Sequence, residues 1–188
     1  MAADHKNSFK DWLKAGITVL VLFFLIRTFF FSSYEVEGQS MQPTLQDGNR
    51  LVVNKIGYQI ADIHRFDIIV FHATDQEDYV KRVIGLPGDD IVYKDDNLYI
   101  NGRKYQEPYL TGYKQPFPGQ RLTGDFTLGE LTDSKTVPNG KLFVLGDNRL
   151  GSMDSRHFGF IPISKVVGKV DVRYWPIEDF NVDFVKEK

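Results

Sequence analysis

Between Trp12 and Phe31 the chain carries one long apolar run, and nothing later repeats it. A run of about twenty residues is enough to cross a bilayer core of roughly 30 Å as a helix. Arg27 interrupts it about a turn from its end. There the side chain can snorkel, at a cost well below the ~3 kcal/mol of a mid-span charge. The bland alternative is a cleaved secretory leader, since Lys6, Lys10 and Lys14 precede the apolar stretch. Its exit, Phe29-Phe30-Phe31-Ser32-Ser33-Tyr34, offers no small-x-small cleavage site. The expectation is a retained anchor at 12–31 after a cytoplasmic tail at 1–11. Lysines flank only its N-terminal side, and the first positive residue beyond it is Arg50. The positive-inside rule therefore puts residues 34–188 outside the cytoplasm.

Those remaining residues suffice for one domain with a real core. They show short runs of β-branched and aromatic residues at Arg50–Val53, Asp67–Phe71, Tyr79–Ile84, Ile91–Tyr93, Leu98–Ile100, Lys141–Leu145 and Val166–Tyr174. Gly, Pro, Asn and Asp bound these runs, which predicts a mainly β fold. Asn101-Gly102 predicts a tight hairpin turn, and Asn139-Gly140 another turn. Residues 107–137 hold three Pro, several Gly and few apolar runs, and are expected to form a loop-rich insertion or small cap.

The composition excludes several classes. There is no Cys, so neither disulfides nor thiolate metal sites are available. The net charge is −2 and no basic stripe appears, which argues against nucleic acid. His5, His64, His72 and His157 are scattered without metal-ligand spacing, and no metal or cofactor is expected. Asp75-Gln76-Glu77-Asp78 is expected to be a solvated loop.

Three polar features bear on chemistry. Ser40, in Gly38-Gln39-Ser40-Met41-Gln42-Pro43, is read either as a turn serine or as a nucleophile. The Gly-x-Ser-x-Gly elbow is not met, and no Ser opens a Ser-x-x-Lys motif. Lys81 lies in an apolar strand, where alternation puts it on one face with Val83 and Gly85. If that face is core, burial lowers the lysine pKa. A value near 8 would leave about 10% of the amine neutral at pH 7, against some 0.04% for a free lysine. The alternative is a surface lysine whose stem packs on a sheet edge. The third feature is the dense polar run Gly146–Arg156 after an apolar strand, read as a turn or as the brace of a site. A triad of His157 with Asp147 or Asp154 serving Ser40 is a further arrangement of the same residue types.

Several boxes recur in a fixed order: Ser40-Met41-x-Pro43-Thr44-Leu45, Arg65-x-Asp67-Ile68-x-Val70-Phe71, Lys81-Arg82-Val83-Ile84-Gly85-x-Pro87-Gly88-Asp89, Ile100-Asn101-Gly102, and Gly146-Asp147-Asn148-Arg149-x-x-Ser152-x-Asp154-Ser155-Arg156. Behind an N-terminal anchor, this order resembles the bacterial type I signal peptidases, in their short single-anchor form. The resemblance implies a β-rich extracytoplasmic domain, held at the bilayer, that removes signal peptides from exported preproteins after small residues at −1 and −3. It implies Ser40 as nucleophile and Lys81 as general base. Ser152 would orient Lys81, Asp154 and Arg156 would pair, and Asp147 would hold the loop. Val36, Met41, Leu45 and Val80 would form shallow substrate pockets. The Ser40 N–H would bind the oxyanion. Some members add a Ser side chain two positions before the nucleophile, where this chain has Gly38. Two other readings are a Ser/Lys self-cleaving protein and an anchored, non-catalytic β domain that binds partners.

Overall fold

A computed structural model describes residues 5–55, 63–111 and 121–184; for 5–8 and 25–29 it describes the backbone only. Helix α1 spans His5–Phe30. From Phe9 to Phe24 its large apolar side chains lie exposed around the helix. Arg27 and Pro116 and Pro118 of the expected insertion lie outside the described side chains. Among the described residues, no helix is long and apolar enough to cross a membrane. The charge-free stretch with described side chains begins at Ala15 and stops at Phe24, short of the ~20 residues a span takes.

The apolar run does not end as expected. Phe31 opens strand β1 (Phe31–Glu35), which pairs antiparallel with β2 (Arg50–Asn54) from Phe31↔Asn54 to Glu35↔Arg50. Then follow β3 (Ile68–His72), β4 (Asp78–Gly85), β5 (Ile91–Lys94), β6 (Asn97–Ile100), β7 (Arg103–Tyr105) and β8 (Phe126–Thr127). The short helix α2 (Leu128–Leu131), β9 (Lys141–Leu145), the short helix α3 (Ser155–Phe158), β10 (Ile161–Pro162) and β11 (Val166–Trp175) complete the order. All pairings are antiparallel. One sheet runs β1-β2-β11-β3-β4-β9-β10 and the other β7-β6-β5-β8. The expected mainly β fold is the observed one, and every run read as a strand is a strand.

Alternation explains why the central strands are apolar throughout. On β3, Ile68 and Val70 enter one core group while Ile69 and Phe71 enter another. On β9, Leu142 and Val144 face one way, and Phe143 and Leu145 face the second sheet. Both faces of the large sheet are therefore buried at its centre, which removes the polar-out half of the usual pattern. Asn101 (φ 52°) and Gly102 (φ 76°) make the turn from β6 to β7, the left-handed pair that such a hairpin demands. Gly140 (φ 72°) sits in the second expected turn, where Lys141 N–H bonds the Pro138 carbonyl at 3.1 Å.

The stretch from 107 to 137 is more than a covering loop. It supplies β8 to the second sheet, and Leu110, Phe126, Leu128 and Val137 to the interior. Phe143 joins the two sheets: its ring lies 6.1 Å from both Phe126 and Phe160. Phe143→Ala should cost about 3–5 kcal/mol of stability, read as a lower urea midpoint.

Candidate active site

Ser40 and Lys81 come together through the sheet. After β1 the chain turns at Gly38, whose N–H bonds Asp47 Oδ1 at 2.7 Å, and presents Ser40. The turn is pinned to the Gly146–Arg156 loop: the Asn148 N–H donates to the Ser40 carbonyl at 3.0 Å, and its Nδ2 to the Gln39 carbonyl at 3.1 Å. Lys81 extends from β4 and its Nζ lies 2.8 Å from Ser40 Oγ. A second bond, to the Val80 carbonyl at 3.1 Å, fixes the amine, and the Tyr79 ring lies 5.1 Å from it.

Lys81 is only 3% exposed. Burial pulls its pKa down from 10.5 to about 8, although Asp154 and Asp147 pull the other way. Desolvation wins because neither carboxylate touches the amine: each has its own cation. Asp147 receives Arg82 Nε (2.8 Å) and Nη2 (2.6 Å) together with the Thr44 hydroxyl (2.5 Å). Asp154 receives Arg156 Nε (2.9 Å) and Nη2 (2.8 Å) and the Gly146 N–H (3.0 Å). Burial alone would push the Asp154 carboxyl up, but these donors hold it below the usual carboxylate range.

The two supporting pairs thus differ. Asp154–Arg156 is the pairing expected from the resemblance, with Asp154 also capping α3. Asp147 does brace the loop, and its partner is Arg82, a residue to which the sequence reading assigned no role. Arg82 and Asp147 are both fully buried. Burial opposes the guanidinium charge, and Asp147 more than offsets it, leaving the Arg82 pKa raised. The signal was present in the sequence. Lys81 and Arg82 are adjacent in one apolar strand, so alternation sends one cation to each face, and each buried cation needs its own provision.

A second buried pair ties the smaller sheet to the same loop. Arg149 Nη2 bonds Glu107 at 2.6 Å, and its Nε bonds the Gly146 carbonyl at 3.1 Å. Tyr93 and Tyr109 each donate to the same Glu107 oxygen at 2.8 Å.

Two expected site residues are corrected. Ser152 is buried beside Ser40, but its Oγ has no hydrogen-bond partner among the described residues, so it does not bond Lys81. The amine spends its contacts on Ser40 and Val80 instead. Leu45 is fully buried in the core with Leu51 and Val53, so it cannot touch a ligand. Val36, Met41 and Val80 do line a cleft of about 420 Å³ that runs between residues 34–41 and 78–81 and ends at Gly151 and Met153. His157 is exposed, and Lys81 occupies the place a triad histidine would need. Gly146 has a steric reason: a Cβ there would collide with Ser152 Oγ and the Ser40 carbonyl.

A buried lysine amine within hydrogen-bond reach of a serine hydroxyl, in an open cleft of a β-sheet domain, defines a candidate Ser/Lys hydrolase. Comparison with known proteins narrows the class. The family model "Signal peptidase, peptidase S26" matches residues 9–175. A signal peptidase I of Bacillus caldolyticus is 64% identical over 173 residues, covering 92% of this chain and 93% of that protein. A signal peptidase IB of Staphylococcus aureus is 42% identical over 186 residues, covering 97% of each. A crystal structure of a signal peptidase I from Enterococcus faecalis superposes with a TM-score of 0.55 at 47% identity, covering 57% of this chain and 96% of that one. The chain belongs to the signal peptidase family, peptidase S26.

Two stability effects follow. Asp147→Asn leaves the Arg82 cation buried without its counter-charge and should cost about 3–5 kcal/mol in urea unfolding. Lys81→Met should act in the opposite direction. The folded state depresses the lysine pKa, so below about 8 the protein bears the cost of a buried cation, and above 10.5 it bears none. The gain from Lys81→Met should therefore be about 3 kcal/mol at pH 7 and vanish by pH 10.5.

Proposed function

We propose that this chain is a membrane-anchored serine endopeptidase that removes N-terminal signal peptides from exported preproteins, with Ser40 as nucleophile and Lys81 as general base. The observation that carries the reading is the 2.8 Å contact between Lys81 Nζ and Ser40 Oγ at a nearly dry amine. A non-catalytic binding domain has no use for such a lysine. With its pKa near 8, roughly a tenth of the amine is neutral at pH 7, a gain of over two orders of magnitude over a free lysine.

The chemistry is acyl transfer. Neutral Lys81 takes the Ser40 proton as Oγ attacks the scissile carbonyl. The resulting ammonium returns that proton to the departing amine of the mature chain, leaving an ester on Ser40. Lys81 then takes a proton from water, which attacks the ester, and returns that proton to the departing Ser40 Oγ as the signal peptide is released. Among the described residues no acceptor takes the Ser40 N–H, which leaves it free to bind the oxyanion. The Gly38 N–H is committed to Asp47 and is not the second donor. An extended substrate lies along the cleft between the two strand edges, its small −1 and −3 side chains over Val36, Met41 and Val80.

The anchor places this cleft where signal peptides leave the bilayer. Helix α1 has 26 residues, about 39 Å, and its sequence stays apolar to Phe31 apart from Arg27. A helix that is apolar all round has no stable home in water. Ser40 follows it closely, so the catalytic domain (34–188) stays at the outer surface, where half-exposed Trp175 is suited to rest on lipid.

The test is cleavage, in detergent or lipid, of a preprotein with an Ala-x-Ala site. Ser40→Ala and Lys81→Ala should each lose at least about 10³-fold in kcat/KM. Wild-type kcat/KM should rise with pH through a midpoint of about 8, because only the neutral amine accepts the proton. Retained activity in Lys81→Ala, or a rate that does not follow this midpoint, would exclude Lys81 as the base.

A further inference from the structure

The family match ends at residue 175, but the chain does not leave the domain there. A short 3-10 turn at Ile177–Asp179 reverses it, and Asn181 pairs with Arg173 through two backbone bonds of 2.9 and 3.0 Å. Phe184 then re-enters the interior at 7% exposure, in the core group that holds Val36, Met41 and Leu45. Ile177, Phe180 and Val182 stay in solvent, so the segment is held by its backbone and by Phe184.

Two arginines grip it, and both also grip the candidate site. Arg173 donates from Nε to the Asp179 carbonyl at 2.7 Å and from Nη1 to the Thr44 carbonyl at 2.6 Å, joining the segment to the turn that presents Ser40. Arg82 Nη1 donates to the Phe184 carbonyl and to the Phe66 carbonyl, each at 2.9 Å, while Nε and Nη2 hold Asp147. The Tyr109 ring covers the guanidinium at 3.8 Å.

We infer that Ile177–Phe184 is a strap that positions the catalytic pair. The Phe184 carbonyl is one of the few acceptors for a fully buried guanidinium, and its ring backs the floor of the substrate cleft. Without it, a buried N–H loses its partner and the core beneath Val36 and Met41 opens to water. Arg82 is the chain neighbour of Lys81 and the anchor of Asp147, whose loop packs Gly146 and Asn148 on Ser40. Loosening Arg82 therefore admits water to the amine, whose other neighbours are Ser40, the Tyr79 ring and the carboxylates Asp147 and Asp154. Phe184 is a positioning residue: it acts through Arg82 and the cleft floor and touches no reacting atom.

The inference rests on Lys81 as the base, and the test separates the two. Full-length protein is compared with a chain ending at Asn181, Phe184→Ala, Phe184→Leu and the exposed control Val182→Ala. The readout is kcat/KM against pH from 6 to 10.5, per folded molecule. Wild type and Val182→Ala should share a midpoint of about 8. The chain ending at Asn181 and Phe184→Ala should shift upward by about one unit, losing about tenfold at pH 7 and recovering most of it at pH 10. Phe184→Leu, which keeps an apolar anchor, should shift less, and it decides the matter if the others fail to fold. An unchanged midpoint, whatever the melting temperature, makes the strap a stabiliser only and overturns the inference. A wild-type profile without a midpoint near 8 removes the Lys81 reading and the strap with it.

Discussion

Arg82 and Asp147 form the contact on which the rest of the site depends. Both are fully enclosed, in a bidentate pairing. Such a pair contributes little net stability, because removing two charges from water costs nearly what their attraction returns. Its value is geometric. It locks β4, which carries Lys81, to the loop that carries Ser152 and Asp154 and packs on the Ser40 turn. Thr44, two carbonyls and the Tyr109 ring take up what the ions leave over.

With the carboxylates so engaged, Lys81 is left without an ion partner in contact. That is the unusual electrostatic feature of the molecule. Asp147 and Asp154 are near enough to raise its pKa, yet each is neutralised by its own arginine, so burial prevails. Had either carboxylate reached the amine, its charge would hold the Lys81 proton on more tightly and work against the proposed role as base. The two supporting pairs and Lys81 thus belong to one arrangement.

The second sheet serves the same end from the other side. Glu107 collects Tyr93, Tyr109 and Arg149, and Arg149 holds the Gly146 carbonyl. The Gly146–Arg156 loop is clamped between two buried ion pairs and braced below by the segment that ends at Phe184. Rigidity of this kind keeps the Ser40 hydroxyl and the Lys81 amine at hydrogen-bond distance.

The strands were legible because β-branched runs between turn residues have one good use, and Asn101-Gly102 admits one conformation. Ser40 and Lys81 were legible as residue types out of place: a hydroxyl in a turn just past an apolar run, and a lone amine in an apolar strand. Four things were not. β1 was hidden because Phe31 reads as the end of the apolar run and Ser32–Glu35 carries no β-branched run, until β2, some twenty residues on, offers it a ladder. Leu45 looked like a pocket residue, but local sequence cannot tell a cleft floor from the core beneath it. Ser152 was expected to bond Lys81, but its Oγ has no hydrogen-bond partner among the described residues, and local sequence does not set such a contact. Arg82 and Glu107 had no visible partners, since theirs lie 65 and 42 residues away. Local pattern determined the strands and the apolar N-terminal helix and marked Ser40 and Lys81 as candidates, because propensity and periodicity act over a few residues. Tertiary structure alone decided which carboxylate met which cation, and so whether Lys81 could lose its proton, because desolvation depends on everything packed around the amine.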